Sequence, residues 1–317
     1  MKQYTIAIDT GKAQTKGAMI LDNEVITLEA FASNVVSNST DRLDETVHIV
    51  RYNGEVYQVG DVSASLSDNQ LNNLDKRTTE SKVCVFTAIA LMMKKAGIRS
   101  GAEFKLLVNV PLSQFKSEAD RKAYSNFYRD TVTINVDGEN FSFDITEVTP
   151  LFESIGYALL QGKALKGSET LLFDWGGLNL TYCLIDADLR PVVSQSDSLM
   201  AGSHHIISDI YLALQAKGIS NIDKEAIKNI IRGRKNASKE VKEIIDTVAY
   251  KKIEEIFTLL KSSISFDDKI RFTGGSSLLF EKYITKYFAT KLPDHNDFEI
   301  SSNCVYDNAV GFLQVIA

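Results

Sequence analysis

One short pattern occurs twice in this chain and constrains its fold more than any other feature. Residues 6–20 read IAIDTGKAQTKGAMI, and residues 171–186 read LLFDWGGLNLTYCLID. Each copy runs from an apolar strand into an aspartate, then through one or two glycines into a second apolar strand. Because the copies lie about half the chain apart, the pattern predicts two related halves.

The residue types of this pattern suit phosphate binding. Glycine has no side chain and lets backbone N–H groups approach a phosphate, while an acidic side chain at a strand end can hold Mg²⁺ through water. Two such turns facing each other would hold a triphosphate. Either turn alone reads equally well as an ordinary tight turn, but the pair, with a further Gly-Gly after the strand KIRFT, favours a nucleotide site.

Strands and helices alternate along the chain, which indicates the α/β class. Asn53-Gly54 and Asp137-Gly138 each stand between alternating apolar residues and predict two β-hairpins.

Three helix predictions bear on the site. Residues 151–162 read as a short helix, and residues 203–218 as a helix capped by Ser203. Residues 238–263 carry Glu and Lys at helical spacing around an apolar stripe, which predicts a long amphipathic helix.

Composition disfavours several classes of protein. The 317 residues are 44% hydrophobic and 24% charged, typical of a soluble globular chain of about two domains. The net charge of −6 argues against direct nucleic-acid binding, and no apolar run approaches the roughly 20 residues of a membrane span. Cys84, Cys183 and Cys304 lack the paired spacing of a zinc or disulfide framework. We therefore expect a cytoplasmic protein with neither a membrane nor a nucleic acid as direct partner.

An ordered set of motifs resembles one superfamily, that of actin, the sugar kinases and the heat-shock chaperone ATPases. The motifs are IDTGKAQTKG, LLVNVPLSQF, VTPLFESIGYALL, LLFDWGGLNLTY, IRFTGGSSL and YDNAVGFLQV. Within the superfamily the chain is most similar to bacterial plasmid-segregation actins of the ParM/StbA type. The resemblance implies an actin-like fold, with two related α/β domains and a nucleotide cleft between them. Domain I would cover 1–160, with a helix over 304–317 packing back on it, and domain II would cover 161–303.

The resemblance also implies a site for ATP or GTP with Mg²⁺. Asp9 and Asp174 would contact the water shell of the metal, and Glu153 would orient the attacking water. The other implied nucleotide-binding residues are Gly11, Lys12, Lys16, Gly176, Gly177, Asn179, Gly202, Arg234, Lys235, Gly274, Gly275 and Ser276. Two of these assignments have simpler alternatives, since Lys16 also reads as a solvated strand residue and Glu153 as an ordinary carboxylate at a helix start.

Both loops depart from the family pattern. Lys12 and Ala13 replace small hydroxyl residues, Leu178 and Asn179 replace a threonine pair, and Thr181 stands where a second acidic residue is common. We expect these changes to alter nucleotide affinity or turnover without abolishing binding.

The function that the resemblance implies is an ATPase that assembles head to tail into filaments and segregates plasmid DNA through a small DNA-binding adaptor at a plasmid centromere. Two alternatives remain. A small-molecule kinase of the same superfamily would need a catalytic aspartate base in a substrate cleft. A non-polymerising scaffold of the pilus or cell-division type would keep the nucleotide site but act by binding partners.

Overall fold

The computed structural model describes residues 2–37, 46–62, 75–261, 269–295 and 297–315. The chain divides into two compact units, one of residues 1–161 and 306–317 and the other of residues 162–305. Each unit has its own β-sheet and its own hydrophobic core. The α/β class predicted from the sequence is confirmed.

The strands of the described residues are, in chain order, β1 (Gln3–Thr10), β2 (Gln14–Leu21), β3 (Glu24–Ala32), β4 (Val35–Ser37), β5 (Val47–Tyr52), β6 (Glu55–Gly60), β7 (Ser100–Val110), β8 (Asp130–Val136), β9 (Glu139–Phe152), β10 (Thr170–Trp175), β11 (Leu180–Ile185), β12 (Pro191–Leu199), β13 (Lys269–Thr273) and β14 (Phe298–Ile300).

The helices of the same residues are α1 (Thr79–Lys95), α2 (Leu112–Phe115), α3 (Glu118–Tyr128), α4 (Ile155–Leu160), α5 (Gly162–Leu165), α6 (Ser203–Ala216), α7 (Lys224–Ile231), α8 (Lys239–Lys261), α9 (Gly275–Leu279), α10 (Glu281–Lys291) and α11 (Asp307–Phe312), followed by a 3₁₀ turn over Leu313–Val315. None of the helices in the described parts of the chain is long and apolar enough to span a bilayer.

The sheet of the first unit has the strand order β3-β2-β1-β7-β9-β8-β5-β6-β4. β7 is parallel to both β1 and β9, and the other neighbours are antiparallel. α1 packs on this sheet against β1, β2 and β8, and nearly all of its middle turns are buried. The Thr78 side chain accepts a hydrogen bond from the Ser81 N–H, which caps the start of α1.

Both predicted hairpins of the first unit are confirmed. Asn53 and Gly54 join β5 to β6, Asp137 and Gly138 join β8 to β9, and all four residues have positive φ. Two-residue hairpin loops of this twist need positive φ at both positions, which Asn, Asp and Gly tolerate best.

The helix predicted over 151–162 is wrong at its start. β9 continues to Phe152, and α4 begins only at Ile155. Ser154, with φ of 86°, turns the chain between the two elements. Non-glycine residues rarely adopt a left-handed conformation, and no pattern in the sequence marks the position of one that does.

The sheet of the second unit has the order β12-β11-β10-β13-β14. Its core lies under α6, α8 and α10, where α8 contacts both other helices. The Phe257 ring of α8 packs edge-on against Phe173, Phe272 and Phe288. The long helix predicted over 238–263 is confirmed as Lys239–Lys261, and residues 262–263 lie outside the described residues.

The two sheets share one arrangement around the repeated sequence pattern. β3-β2-β1 and β12-β11-β10 are antiparallel triplets, and each is followed by a strand parallel to its last member, β7 or β13. In each unit the pattern therefore forms the hairpin at the corresponding position, β1-β2 in one and β10-β11 in the other.

Candidate functional site

Asp9 is a buried carboxylate near the end of β1. It is 5% exposed and lies opposite Lys16 of β2 in the strand register. Its Oδ1 accepts a hydrogen bond of 2.7 Å from Asn109 Nδ2, and its Oδ2 lies 3.3 Å from Lys16 Nζ. The Lys16 side chain is only 17% exposed, so it is a paired residue of this loop rather than a solvated one.

Asn109 of β7 is a residue of this arrangement that the sequence analysis missed. Its side chain donates to Asp9, and its Oδ1 accepts from the Thr10 backbone N–H at 2.9 Å and from Thr10 Oγ1 at 3.1 Å. The amide both donates and accepts here, whereas an ionised aspartate, which only accepts, could not replace it. The one signal in the sequence is a single polar residue inside the apolar strand LLVNV.

The loop after β1 is tightly closed on itself. The Gly11 N–H donates to the Gln14 carbonyl at 3.0 Å. A Cβ added at Gly11 would lie 2.9 Å from that carbonyl oxygen and 3.4 Å from Lys16 Nζ. A side chain at this position would therefore open the turn, so the geometry of the turn alone accounts for a glycine at position 11.

Glu153, at the end of β9, is paired with a lysine that the sequence analysis also missed. Lys76 Nζ lies 3.0 Å from Glu153 Oε2, and the Glu153 N–H donates to the Val110 carbonyl at 3.1 Å. Burial lowers the pKa of Lys12, the nearby Lys76 charge lowers it further, and Glu153 opposes the shift. The structure thus places Lys12 in the electrostatic field of the Lys76–Glu153 pair.

Ser154 holds Glu153 at a strained bend. Its φ of 86° is a left-handed conformation that costs a non-glycine residue about 1 to 2 kcal/mol. Its side chain is fully buried, and its Oγ has no hydrogen-bond partner among the described residues. Strain of this kind concentrates at functional sites, which agrees with a role for the neighbouring carboxylate.

In the second unit, the loop after β10 is organised around the Gly176 peptide. The Gly176 N–H donates to the Asn179 carbonyl at 2.9 Å and closes the turn. The Gly176 carbonyl accepts from Ser276 Oγ at 2.8 Å and from the Ser203 N–H at 3.3 Å. Two of the predicted segments, 176–179 and 274–276, are therefore in contact.

Gly202 is packed against the same loop. Its N–H donates to the Leu178 carbonyl at 2.8 Å, and the His204 N–H donates to the Gly177 carbonyl at 2.9 Å. A Cβ at Gly202 would lie 2.3 Å from Gly177 O. The N-cap of α6 is Gly202 and not Ser203, so that prediction is wrong: Ser203 lies in the first turn and donates its N–H to the loop.

Gly274 and Asp174 are in close contact. Gly274 has φ of 83°, and a Cβ there would lie 2.5 Å from Asp174 Oδ1 and 2.5 Å from Trp175 O. A side chain at 274 would thus displace the carboxylate. Gly275 is different, since a Cβ at that position would meet no atom within 4 Å.

Two of the residues that depart from the family pattern, Asn179 and Thr181, form a neutral polar group with Ser198. Asn179 Nδ2 donates to Ser198 Oγ at 2.9 Å and to Thr181 Oγ1 at 3.3 Å, and the two hydroxyls lie 3.2 Å apart. Leu178 is buried, with 6% exposed. Thr181 is thus bound into a hydrogen-bonded set of three uncharged side chains.

Arg234 and Lys235 are exposed in the turn after α7. Their backbone N–H groups donate to the Asn229 carbonyl at 2.8 and 3.1 Å. Within the part of the chain that the structure describes, neither side chain makes a hydrogen bond or ion pair to loop 176–179. Their assignment to the nucleotide base stays a prediction.

Each of the two loops, taken by itself, carries one carboxylate of the kind that binds Mg²⁺ through water. Among the described residues, no group of three or more His, Cys, Asp or Glu side chains could hold a metal by itself. Mg²⁺ usually keeps several waters and is bound through one or two carboxylates together with substrate phosphates. Asp9 and Asp174 supply one carboxylate in each unit, which is compatible with that mode.

Comparison with known proteins assigns the fold. Residues 7–156 match the family model for the N-terminal domain of actin like proteins. These residues therefore form an actin-like N-terminal domain. No curated protein matches its sequence.

Solved structures of actin-like proteins match nearly the whole chain. A 15-stranded ParM filament from Clostridium botulinum is 19% identical over 99% of both chains, with a TM-score of 0.73. Bacillus thuringiensis ParM with ATP is 13% identical over 99% of this chain and 98% of that one, with a TM-score of 0.72. The filament of AlfA from Bacillus subtilis plasmid pLS32 is 18% identical over 98% of both, with a TM-score of 0.64. The predicted actin-like fold is confirmed.

Proposed function

We propose that this actin-like protein binds and hydrolyses ATP, assembles head to tail into filaments, and segregates plasmid DNA. The observation that carries the proposal is the repeated hairpin, whose two strands are joined by an ordered loop in each unit. In the first unit, Asn109 and Lys16 fix the Asp9 carboxylate. In the second, Ser203 and Ser276 fix the Gly176 carbonyl. Loops that are already ordered bind a ligand without a further cost of ordering.

In the first unit, different residues would bind the phosphates and orient the attacking water. The backbone at Gly11 would approach the phosphates, and Lys16 and Lys12 would supply positive charge. Glu153 would orient the water that attacks the terminal phosphoryl group. Phosphoryl transfer depends mainly on positioning and on charge stabilisation, which is what these groups can provide.

In the second unit, Gly176 and Gly177 would form the other phosphate loop, and Gly274, Gly275 and Ser276 would lie beside the ribose and base. Asp9 and Asp174 would hold Mg²⁺ through water, and the ion would neutralise charge on the β- and γ-phosphates. We favour ATP over GTP because a ParM of the same fold was solved with ATP.

Two of the three similar structures described above are filaments, and one of these proteins comes from a plasmid, which supports the polymerisation and segregation parts of the proposal. Head-to-tail contacts join unlike faces, and they produce filaments wherever they do not close into a ring. The net charge of −6 favours an indirect link to DNA, through a small DNA-binding adaptor at a plasmid centromere. This activity would take place in the cytoplasm.

Sedimentation of the purified protein tests the proposal. With Mg-ATP the protein should pellet as filaments visible by electron microscopy, and without nucleotide it should stay in the supernatant. Mg-GTP in a parallel sample measures nucleotide preference. A protein that stays monomeric at every concentration yet phosphorylates a sugar or an acid would be a kinase. One that binds ATP with neither assembly nor turnover would be a scaffold.

A further inference from the structure

Lys76 is a buried ammonium paired with the Glu153 carboxylate. Its side chain is 6% exposed, and its Nζ lies 3.0 Å from Glu153 Oε2, whose side chain is 17% exposed. Removing a charge from water is costly unless it is paired and hydrogen-bonded. The ion pair with Glu153 therefore decides where the Lys76 side chain lies.

The backbone of Lys76 is fixed on both sides by tyrosines of α3. Its N–H donates to Tyr124 Oη at 2.9 Å, and its carbonyl accepts from Tyr128 Oη at 2.9 Å. Both rings are fully buried. Lys76 thus projects from a rigid support, which is the arrangement that keeps a neighbouring functional group in place.

Asp75, which precedes Lys76 in the sequence, is paired with Arg77. The Asp75 carboxylate accepts two hydrogen bonds from Arg77, one from Nη2 at 2.8 Å and one from Nε at 3.0 Å. The hydrogen bond from Arg77 also lowers the pKa of Asp75. The ion pairing of this segment is therefore divided, with Asp75 bound to Arg77 and Glu153 bound to Lys76.

We propose that Lys76 is a positioning residue, whose ammonium holds the Glu153 carboxylate in the orientation from which it acts on the attacking water. The inference rests on the proposed function, in which Glu153 has that role. In this role Lys76 acts on the Glu153 carboxylate and not on the nucleotide. Its loss should therefore lower the rate of hydrolysis and leave nucleotide affinity nearly unchanged.

A double-mutant cycle on the full-length protein tests this coupling. Lys76→Met should lower kcat for ATP about 10- to 100-fold, the usual effect of a misplaced group, with KM changed less than about threefold. In a Glu153→Gln background, Lys76→Met should have almost no further effect on kcat, because residues that act as a unit are not additive. Equal losses of kcat in both backgrounds would overturn the proposal, because they would show that Lys76 acts independently of Glu153.

A matched control and a second variant separate positioning from folding. Lys82 makes an ion pair of similar length in the same unit, with Nζ 2.9 Å from Asp130 Oδ2. Lys82→Met should leave kcat at the wild-type value. If Lys76→Met fails to fold, Lys76→Gln removes the charge but keeps a hydrogen-bond donor, and it should lower kcat with KM unchanged. Wild-type kcat in a folded Lys76 variant would refute the inference alone, whereas a wild-type protein without ATP hydrolysis would refute the proposed function.

Discussion

Gly202→Ala should destabilise the second unit and weaken nucleotide binding. Its φ of −71° suits any residue, so the cost is steric. The added Cβ would lie 2.3 Å from Gly177 O and from Leu178 C, which are backbone atoms that cannot move alone. Relieving the clash means moving α6 away from the loop, and the N–H groups of 202, 203 and 204 then lose their carbonyl partners. At a net value of about 1 kcal/mol for each hydrogen bond, the free energy of unfolding should fall by about 3 kcal/mol.

Urea denaturation measures this loss, and titration with a fluorescent ATP analogue measures binding. Gly275→Ala is the matched stability control, because it also lies at a helix start beside the loop but its Cβ meets no atom within 4 Å. In that variant stability should stay the same or rise by up to about 1 kcal/mol, since alanine is the better helix former. If Gly202→Ala lowers the free energy of unfolding by less than about 1 kcal/mol, the value of a single hydrogen bond, then α6 does not move away from the loop and the prediction is wrong.

Two further variants test the first unit. Asn109→Ala should lower the free energy of unfolding by about 2 to 4 kcal/mol, because it removes the partner of the buried Thr10 N–H and one of the two partners of the Asp9 carboxylate. A loss of less than about 1 kcal/mol in a urea titration would contradict this. Lys12→Met should raise the melting temperature at pH 7 and weaken ATP binding. Burial and the Lys76 charge lower the pKa of Lys12 in the folded state, so the unfolded chain binds more protons and stability rises as pH increases toward 10.5. Lys12→Met should flatten that rise in a series of melts, and an unchanged slope would count against it.

The features that the sequence predicted correctly are mostly local. The turns at Asn53-Gly54 and Asp137-Gly138 follow from a two-residue preference for positive φ, and α8 follows from one uninterrupted apolar stripe. The repeated hairpin also needed only short segments. In each case neighbouring residues carry the whole signal.

The features that the sequence did not predict depend on contacts between distant segments. Asn109 reaches Asp9 across a parallel strand pair, and Lys76 reaches Glu153 from a different part of the chain. No periodicity links such residues, because sequence patterns report which face of an element is buried and not which side chains meet there. Gly202 shows the same limit. The sequence shows that a glycine precedes the helix, but only the structure shows that it packs against loop 176–179.

The central claim, that the protein assembles with ATP and hydrolyses it, is tested most directly by recording light scattering and phosphate release in one sample after adding Mg-ATP. In the wild-type protein, scattering should rise on addition and fall as phosphate is released. In Glu153→Ala, scattering should rise equally but persist, because phosphate release is slowed while ATP binding remains. The claim is contradicted if ATP leaves scattering unchanged in both proteins, or if Glu153→Ala loses assembly while hydrolysing ATP at the wild-type rate.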